Sequence, residues 1–205
     1  MIVIGITGPT GAGKTTALNQ VEKLGGTVVD CDAVYHELLK SDTTLQTFLC
    51  NRFGDIKTAD GGIDRKALGR VVFGDAKALA DLDAIIKPFV TAAVERALAA
   101  AKEQGKRLAA VDGITIIESG LAARCDTTVA VLAPPEERVR RICAREGIGE
   151  EYARSRVAAQ KEDAFFRANC DHVLYNDCTD PEQFAGRAKA LFEGIMTQYE
   201  TGGTR

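Results

Sequence analysis

The sequence predicts an α/β protein, a three-layer sandwich with helices on both faces of a five-stranded parallel sheet. Two observations carry this. Short apolar runs alternate with longer helical patterns, as expected of parallel strands joined by helical crossovers. The residues that close those runs are glycine or polar, and they gather at the one sheet edge where α/β folds place ligands.

Ile2–Ile6 is a continuous apolar run, as for a central strand covered on both faces. After a Gly-rich turn, a helix runs from Lys14 to about Leu24 and is stopped by Gly25-Gly26. Thr27–Val29 makes a second strand closed by Asp30. Asp32 is placed to cap the next helix, through Val34, Leu38 and Leu39. Ile63–Phe73 has a helical pattern with Asp64 as N-cap. Ala76–Ala101 is Ala-rich, and Pro88 predicts two helices or one kinked helix there. Leu108–Val111 is a third strand, closed by Asp112. Thr127–Leu132 is a fourth, closed by Pro134-Pro135. A basic helix follows over Glu136–Arg145, and another over Glu150 to Asp163. His172–Tyr175 is the fifth strand, closed by Asn176, and Pro181 opens the last helix. Thr201–Arg205 reads as a frayed tail or an expression remnant.

A chain of 205 residues suits one domain with a small inserted subdomain. With 45% apolar residues it can build a core without staples. The net charge of -3 provides no global basic field for nucleic acid or membranes, so any anion site must be local. None of the six cysteines forms a C-x-x-C pair, which argues against zinc and for free thiols in a reducing compartment. The apolar N-terminus is short and lacks a basic leader, so it reads as a buried strand rather than a signal peptide. No run reaches the ~18 apolar residues of a membrane span. The expectation is a soluble, cytoplasmic protein, monomeric or a small homo-oligomer.

Gly8-Pro9-Thr10-Gly11-Ala12-Gly13-Lys14-Thr15 fits G-x-x-x-x-G-K-[ST] and sits between a strand and a helix, the context that confirms a P-loop. Its glycines let backbone N–H groups turn inward as an anion nest. The helix aims its positive end at the phosphates. Lys14 reaches the β and γ oxygens of ATP, and Thr15 offers a hydroxyl to Mg²⁺. The shortness of the chain and the acidic pair Asp30 and Asp32 favour a small-molecule kinase, since a carboxylate near the γ-phosphate can take a proton from an attacking hydroxyl. On pattern alone, Asp32 as base and Asp32 as helix cap stand level. Arg138, Arg141 and Arg145 share one helix face, with Arg154 and Arg156 close behind. They read as a lid over phosphates, or else as a solvated face paired with Glu136, Glu137, Glu146, Glu150 and Glu151.

These segments, in this order, resemble the dephospho-CoA kinase family over nearly the whole chain. The resemblance rests on the strand, P-loop and helix ending at Leu24-Gly25, and on Val29-Asp30-Cys31-Asp32. It also rests on Gly61-Gly62-Ile63-Asp64-Arg65-Lys66-Ala67-Leu68 with Val72-Phe73, on a strand-like Asp112–Glu118, on Arg141…Arg145 with Arg156…Gln160, and on Asp171–Asn176. The chain departs from the family at Lys87-Pro88, at Pro9-Thr10, and at Ile114–Ile117. The resemblance implies transfer of the ATP γ-phosphoryl group to the ribose 3′-hydroxyl of dephospho-CoA. The alternatives are a nucleoside or nucleotide kinase, or a nucleotide-hydrolysing switch.

By the same resemblance, Asp32, Lys14 and Arg141 are catalytic. Gly8, Pro9, Thr10, Gly11, Ala12, Gly13, Lys14, Thr15, Thr16, Arg145 and Asn176 bind ATP, and Thr15 meets the metal. Asp30, Asp32, Arg65, Lys87, Glu118, Arg138 and Arg141 meet the acceptor. A kinase core is expected over about 1–35, 105–135 and 165–200, with a helical acceptor-binding insertion over about 36–104 and a lid over about 136–164.

Overall fold

The structure, a computed structural model, describes residues 1–202. The tail expectation for Thr201–Arg205 therefore falls, from residue 203 on, outside the described residues. The chain divides into two compact units, one of residues 1–29 with the chain from Ala100 on, the other of Asp30–Ala99.

The first unit holds the sheet, in the order β2-β3-β1-β4-β5. The strands are β1 (Ile2–Thr7), β2 (Thr27–Asp30), β3 (Leu108–Asp112), β4 (Thr127–Leu132) and β5 (His172–Tyr175). β1 is central and runs parallel to both β3 and β4, with Ile6 opposite both Asp112 and Val129. Alternation along the strands splits the core into two layers. Ile4, Ile6, Val129 and Val131 face α1 (Lys14–Lys23) and α9 (Pro181–Glu200), where they meet Ala17, Val21, Phe184 and Phe192. Ala130 and Leu132 face the other way, onto Phe166 of α8 (Asp163–Asn169). Fully burying one such large apolar side chain contributes ~1.5–3 kcal/mol. A helical hairpin of α6 (Pro135–Glu146) and α7 (Glu150–Ala158) has its own small core of Val139, Ile142 and Ala153.

The second unit is helical: α2 (Cys31–Ser41), α3 (Thr43–Phe53), α4 (Arg65–Val72) and most of α5 (Ala76–Glu103). Aspartates start its helices. Asp42 accepts from the Leu45 N–H at 2.9 Å, Asp64 from Lys66 and Ala67 at 2.8 and 3.1 Å, and Asp75 from Lys77 and Ala78 at 2.9 and 3.0 Å. Buried Gln46 donates to the carbonyls of Leu39 and Lys40, joining α3 to the end of α2.

Three sequence expectations need correction, and one open alternative is resolved. Asp32 does not cap α2; Asp30 does, because its side chain reaches the N–H groups of Asp32 and Ala33. Of the two alternatives for Ala76–Ala101, the structure shows the single helix, α5, with Pro88 inside it, where the proline is exposed and the carbonyl it leaves unbonded can be hydrated. The helix expected over Glu150 to Asp163 stops at Ala158, and a separate helix begins at Asp163, because Gln160 turns aside to bond with Thr10. The strand-like reading of Asp112–Glu118 fails beyond Asp112. Residues 114–120 fold as turns, with Ser119 N–H bonded to the Thr115 carbonyl and Gly120 N–H to that of Ile117.

Candidate functional site

β1 ends at Thr7, the loop follows, and α1 begins at Lys14. Gly8 has φ 142°, and a Cβ there would lie 2.1 Å from the Val131 carbonyl oxygen. Gly13 has φ 108°, and a Cβ there would lie 2.4 Å from the Asn176 amide nitrogen. Both positions therefore exclude any side chain. α1 has no side-chain N-cap bond and no acidic residue in its first turn. Its leading N–H groups and the positive end of its dipole are left to an anion.

A cavity of ≈ 290 Å³ opens over this loop, lined by residues 9–11 and 13–15 with Ile114, Arg141 and Arg145. Its charged groups are all cationic. A larger cleft, ≈ 600 Å³, lies at the amino ends of β1, β4 and β5, with Asp126 and Asp171 in its wall and no lysine or arginine. The smaller cavity is the one suited to phosphates.

Arginines hold the loop from behind. Arg138, though 4% exposed, donates from Nε to the Thr10 carbonyl at 3.0 Å and from its terminal nitrogen to Gln160. Gln160 in turn accepts from the Thr10 N–H at 3.1 Å and donates to the Thr10 hydroxyl at 2.9 Å. Burial pulls the Arg138 guanidinium below its ordinary pKa, and the charge of Asp163 opposes this. Arginine stays protonated even so. Arg141 donates to the carbonyls of Gly11 and Ala12 at 3.3 and 3.5 Å, and also to Asn176 Oδ1 at 3.3 Å and the Cys178 carbonyl at 3.2 Å. Buried Asn176 donates to the Ala12 carbonyl at 2.8 Å. Within the loop the Thr10 N–H is taken by Gln160 and the Ala12 N–H by the Pro9 carbonyl, while the arginines and Asn176 bond loop carbonyls and leave the other loop N–H groups for a ligand.

Further out, the hairpin is laced by ion pairs. Arg140 grips Glu137 at 2.7 Å, and Arg154 grips Glu136 at 2.6 Å and Glu150 at 2.7 Å. Glu146 binds Arg145 at 2.6 Å and also Arg156. Hydrogen bonds from these arginines hold the carboxyls of Glu136, Glu137 and Glu146 below the usual carboxylate range. The paired-surface reading thus describes Arg140, Arg154 and Arg156. Arg138 and Arg141 point at the loop, and Arg145 lines the cavity while paired.

The remaining residues fall into place singly. Thr15 is exposed and Thr16 half-buried at the start of α1, while Glu118 is exposed in the turn after β3. In the helical unit, the Asp32 carboxylate has no hydrogen bond or ion pair among the described residues, one turn before Tyr35 on α2. Burial raises the Tyr35 pKa, with the Arg65 charge partly opposing it. Arg65 opens α4, and Lys87 is exposed on α5. Sequence reasoning gave no specific role to Asp112, half-buried at the close of β3, although its strand-closing position signalled it. The pairing of Glu146 with arginines is among the ion pairs that the sequence offered for this face.

Residues 2–182 match the family model described as CoaE, dephospho-CoA kinase. A dephospho-CoA kinase of Geobacter sulfurreducens is 34% identical over 193 residues, 94% of this chain and 98% of that one. One from Thermobifida fusca is 33% identical over 197 residues, 96% of this chain and 97% of that one. A Thermus thermophilus crystal structure is similar with TM-score 0.78 and 31% identity, over 95% of this chain and 97% of that one. A shikimate kinase from Bacteroides thetaiotaomicron shares the fold, with TM-score 0.54 and 16% identity over 95% and 98%.

Proposed function

The chain belongs to the dephospho-CoA kinase family, and we propose how its residues share the transfer of the ATP γ-phosphoryl group to the ribose 3′-hydroxyl of dephospho-CoA. The products are CoA and ADP, and the step completes coenzyme A synthesis. The observation that carries the reading is the cationic cavity over a P-loop whose glycines admit no side chain.

The loop N–H groups and the start of α1 receive the ATP phosphates, and Lys14 meets the β and γ oxygens. Arg145 adds charge at the cavity wall. Arg138, Arg141 and Asn176 act mainly by fixing the loop, as their bonds to loop carbonyls support. The Thr15 hydroxyl and the Asp112 carboxylate are hard oxygen donors and suit Mg²⁺. Among the described residues no group of three or more His, Cys, Asp or Glu is arranged to hold a metal unaided. That fits an ion which usually keeps one or two protein ligands and completes its shell with phosphates and water. When bound, Mg²⁺ offsets charge on the β- and γ-phosphates.

Asp32 is the general base for the 3′-hydroxyl. Its freedom from capping supports this, since Asp30 does that work. Arg65 and Lys87 supply cations for the acceptor's phosphates, with Glu118 a further acceptor contact. Among the described residues no helix is long and apolar enough to cross a membrane.

The test is purified protein with ATP, Mg²⁺ and a panel of acceptors: dephospho-CoA, adenosine, cytidylate, uridine and shikimate. ADP release that depends on dephospho-CoA and on none of the others supports the reading. Release driven equally by a nucleoside or by no acceptor sinks it.

A further inference from the structure

The α6–α7 hairpin is fixed to the loop at one end, where Arg138 and Gln160 both bond Thr10. At its other end, beside the Gly147 turn, Glu146 holds two arginines at once. Its Oε1 accepts from Arg145 at 2.6 Å and its Oε2 accepts from Arg156. Arg145 also lines the cavity that Lys14 and Thr15 line. A guanidinium fork grips carboxylate and phosphate oxygens by the same two-pronged geometry. So the cationic cavity carries, on one of its arginines, a carboxylate where a phosphate could bind.

We propose that Glu146 is a placeholder anion, a positioning residue that keeps Arg145 and Arg156 assembled beside the cavity until the phosphates of ATP take Arg145 from it. The proposal rests on the nucleotide-site reading above. Surface ion pairs contribute little to stability, so the exchange is cheap. Glu146 therefore competes with ATP and sets its affinity.

The hairpin supplies its own control. Glu136 and Arg154 form a two-pronged pair between α6 and α7, at 2.7 and 2.6 Å, and neither residue lines the cavity. A role as a mere helix-to-helix staple would make Glu136 and Glu146 equivalent.

The experiment is calorimetric titration of a non-hydrolysable ATP analogue with Mg²⁺ into wild type, Glu146→Gln, Glu136→Gln, Arg145→Ala and the Glu146→Gln/Arg145→Ala double variant. Glu146→Gln is expected to tighten binding roughly 2- to 5-fold, the scale of one exposed ion pair. Glu136→Gln should leave affinity unchanged, and the gain should vanish when Arg145 is absent. Unchanged or weaker binding by Glu146→Gln overturns the proposal, as does a gain that survives removal of Arg145. Failure of the wild-type protein to bind the analogue would overturn the nucleotide site itself, and this proposal with it.

Discussion

The Asp30 carboxylate accepts the backbone N–H of Asp32 at 2.8 Å and that of Ala33 at 3.0 Å, so two aspartates two positions apart have separate tasks. Asp30 starts α2. The Asp32 carboxylate, in the first turn of the helix that Asp30 caps, makes no hydrogen bond or ion pair among the described residues. Asp32→Asn should therefore cut turnover by ~10²–10⁴-fold, the usual worth of a general base. Its melting temperature and ATP affinity should hold. Asp30→Ala should instead lower stability by about 1 kcal/mol, the value of a helix cap, which Asp30→Asn should largely restore. Steady-state kinetics beside thermal unfolding separate the two, and an Asp32→Asn variant with near-normal turnover would move the base elsewhere.

Lys14→Ala should abolish phosphoryl transfer while the fold survives. Lys14 lines the cavity, and in the function proposed its charge offsets charge on the transferred group. Turnover and circular dichroism should be measured on one preparation. A folded variant with substantial turnover contradicts the phosphate assignment.

Arg141→Ala should lower both ATP affinity and turnover, with kcat/KM for ATP falling roughly 10- to 100-fold, because it removes charge-assisted bonds from the carbonyls of Gly11 and Ala12. Arg141→Lys should not rescue it, since one ammonium cannot serve the loop, Asn176 and Cys178 together. Arg140→Ala is the control, for among the described residues Arg140 pairs with Glu137 at the surface and not with the loop. Equal small effects at both positions would mean that the bonds seen at Arg141 do not shape the loop.

Burial, and to a lesser degree the charge of Asp126, pushes the Cys125 thiol up to about 12. The thiolate is the reactive form, so a raised pKa leaves it scarce at ordinary pH. In native protein at pH 8, Cys125 should resist alkylation, and denaturation should expose it. Mass spectrometry of timed iodoacetamide labelling reads this. Rapid native labelling of Cys125 would show that its burial is wrong.

Much of the sheet was legible in the chain. β4 and β5 fall where their apolar runs and closing residues place them, and Pro181 opens α9 as expected. The P-loop was legible because its glycines are required by backbone approach, at Gly8 to Val131 and at Gly13 to Asn176. α3 was not seen, because its inward face mixes Leu45, Leu49 and Phe53 with the polar Gln46. The end of α7 was missed because a contact 150 residues away, between Gln160 and Thr10, overrides local helical preference. The two aspartates show the same limit. Spacing marked both as candidates, and only the direction of the Asp30 side chain shows which one caps. Arg138 looked like a lid residue by its stripe, but it is buried against the loop.

The most direct test of the whole account is the position of the phosphate on the product. The wild-type protein should be incubated with ATP, Mg²⁺ and dephospho-CoA, and the purified product examined by phosphorus NMR. The expected result is one new phosphomonoester, coupled to the ribose 3′ proton, in amounts equal to the ADP formed. ADP formed without that signal, or a phosphate carried at any other position, would contradict it.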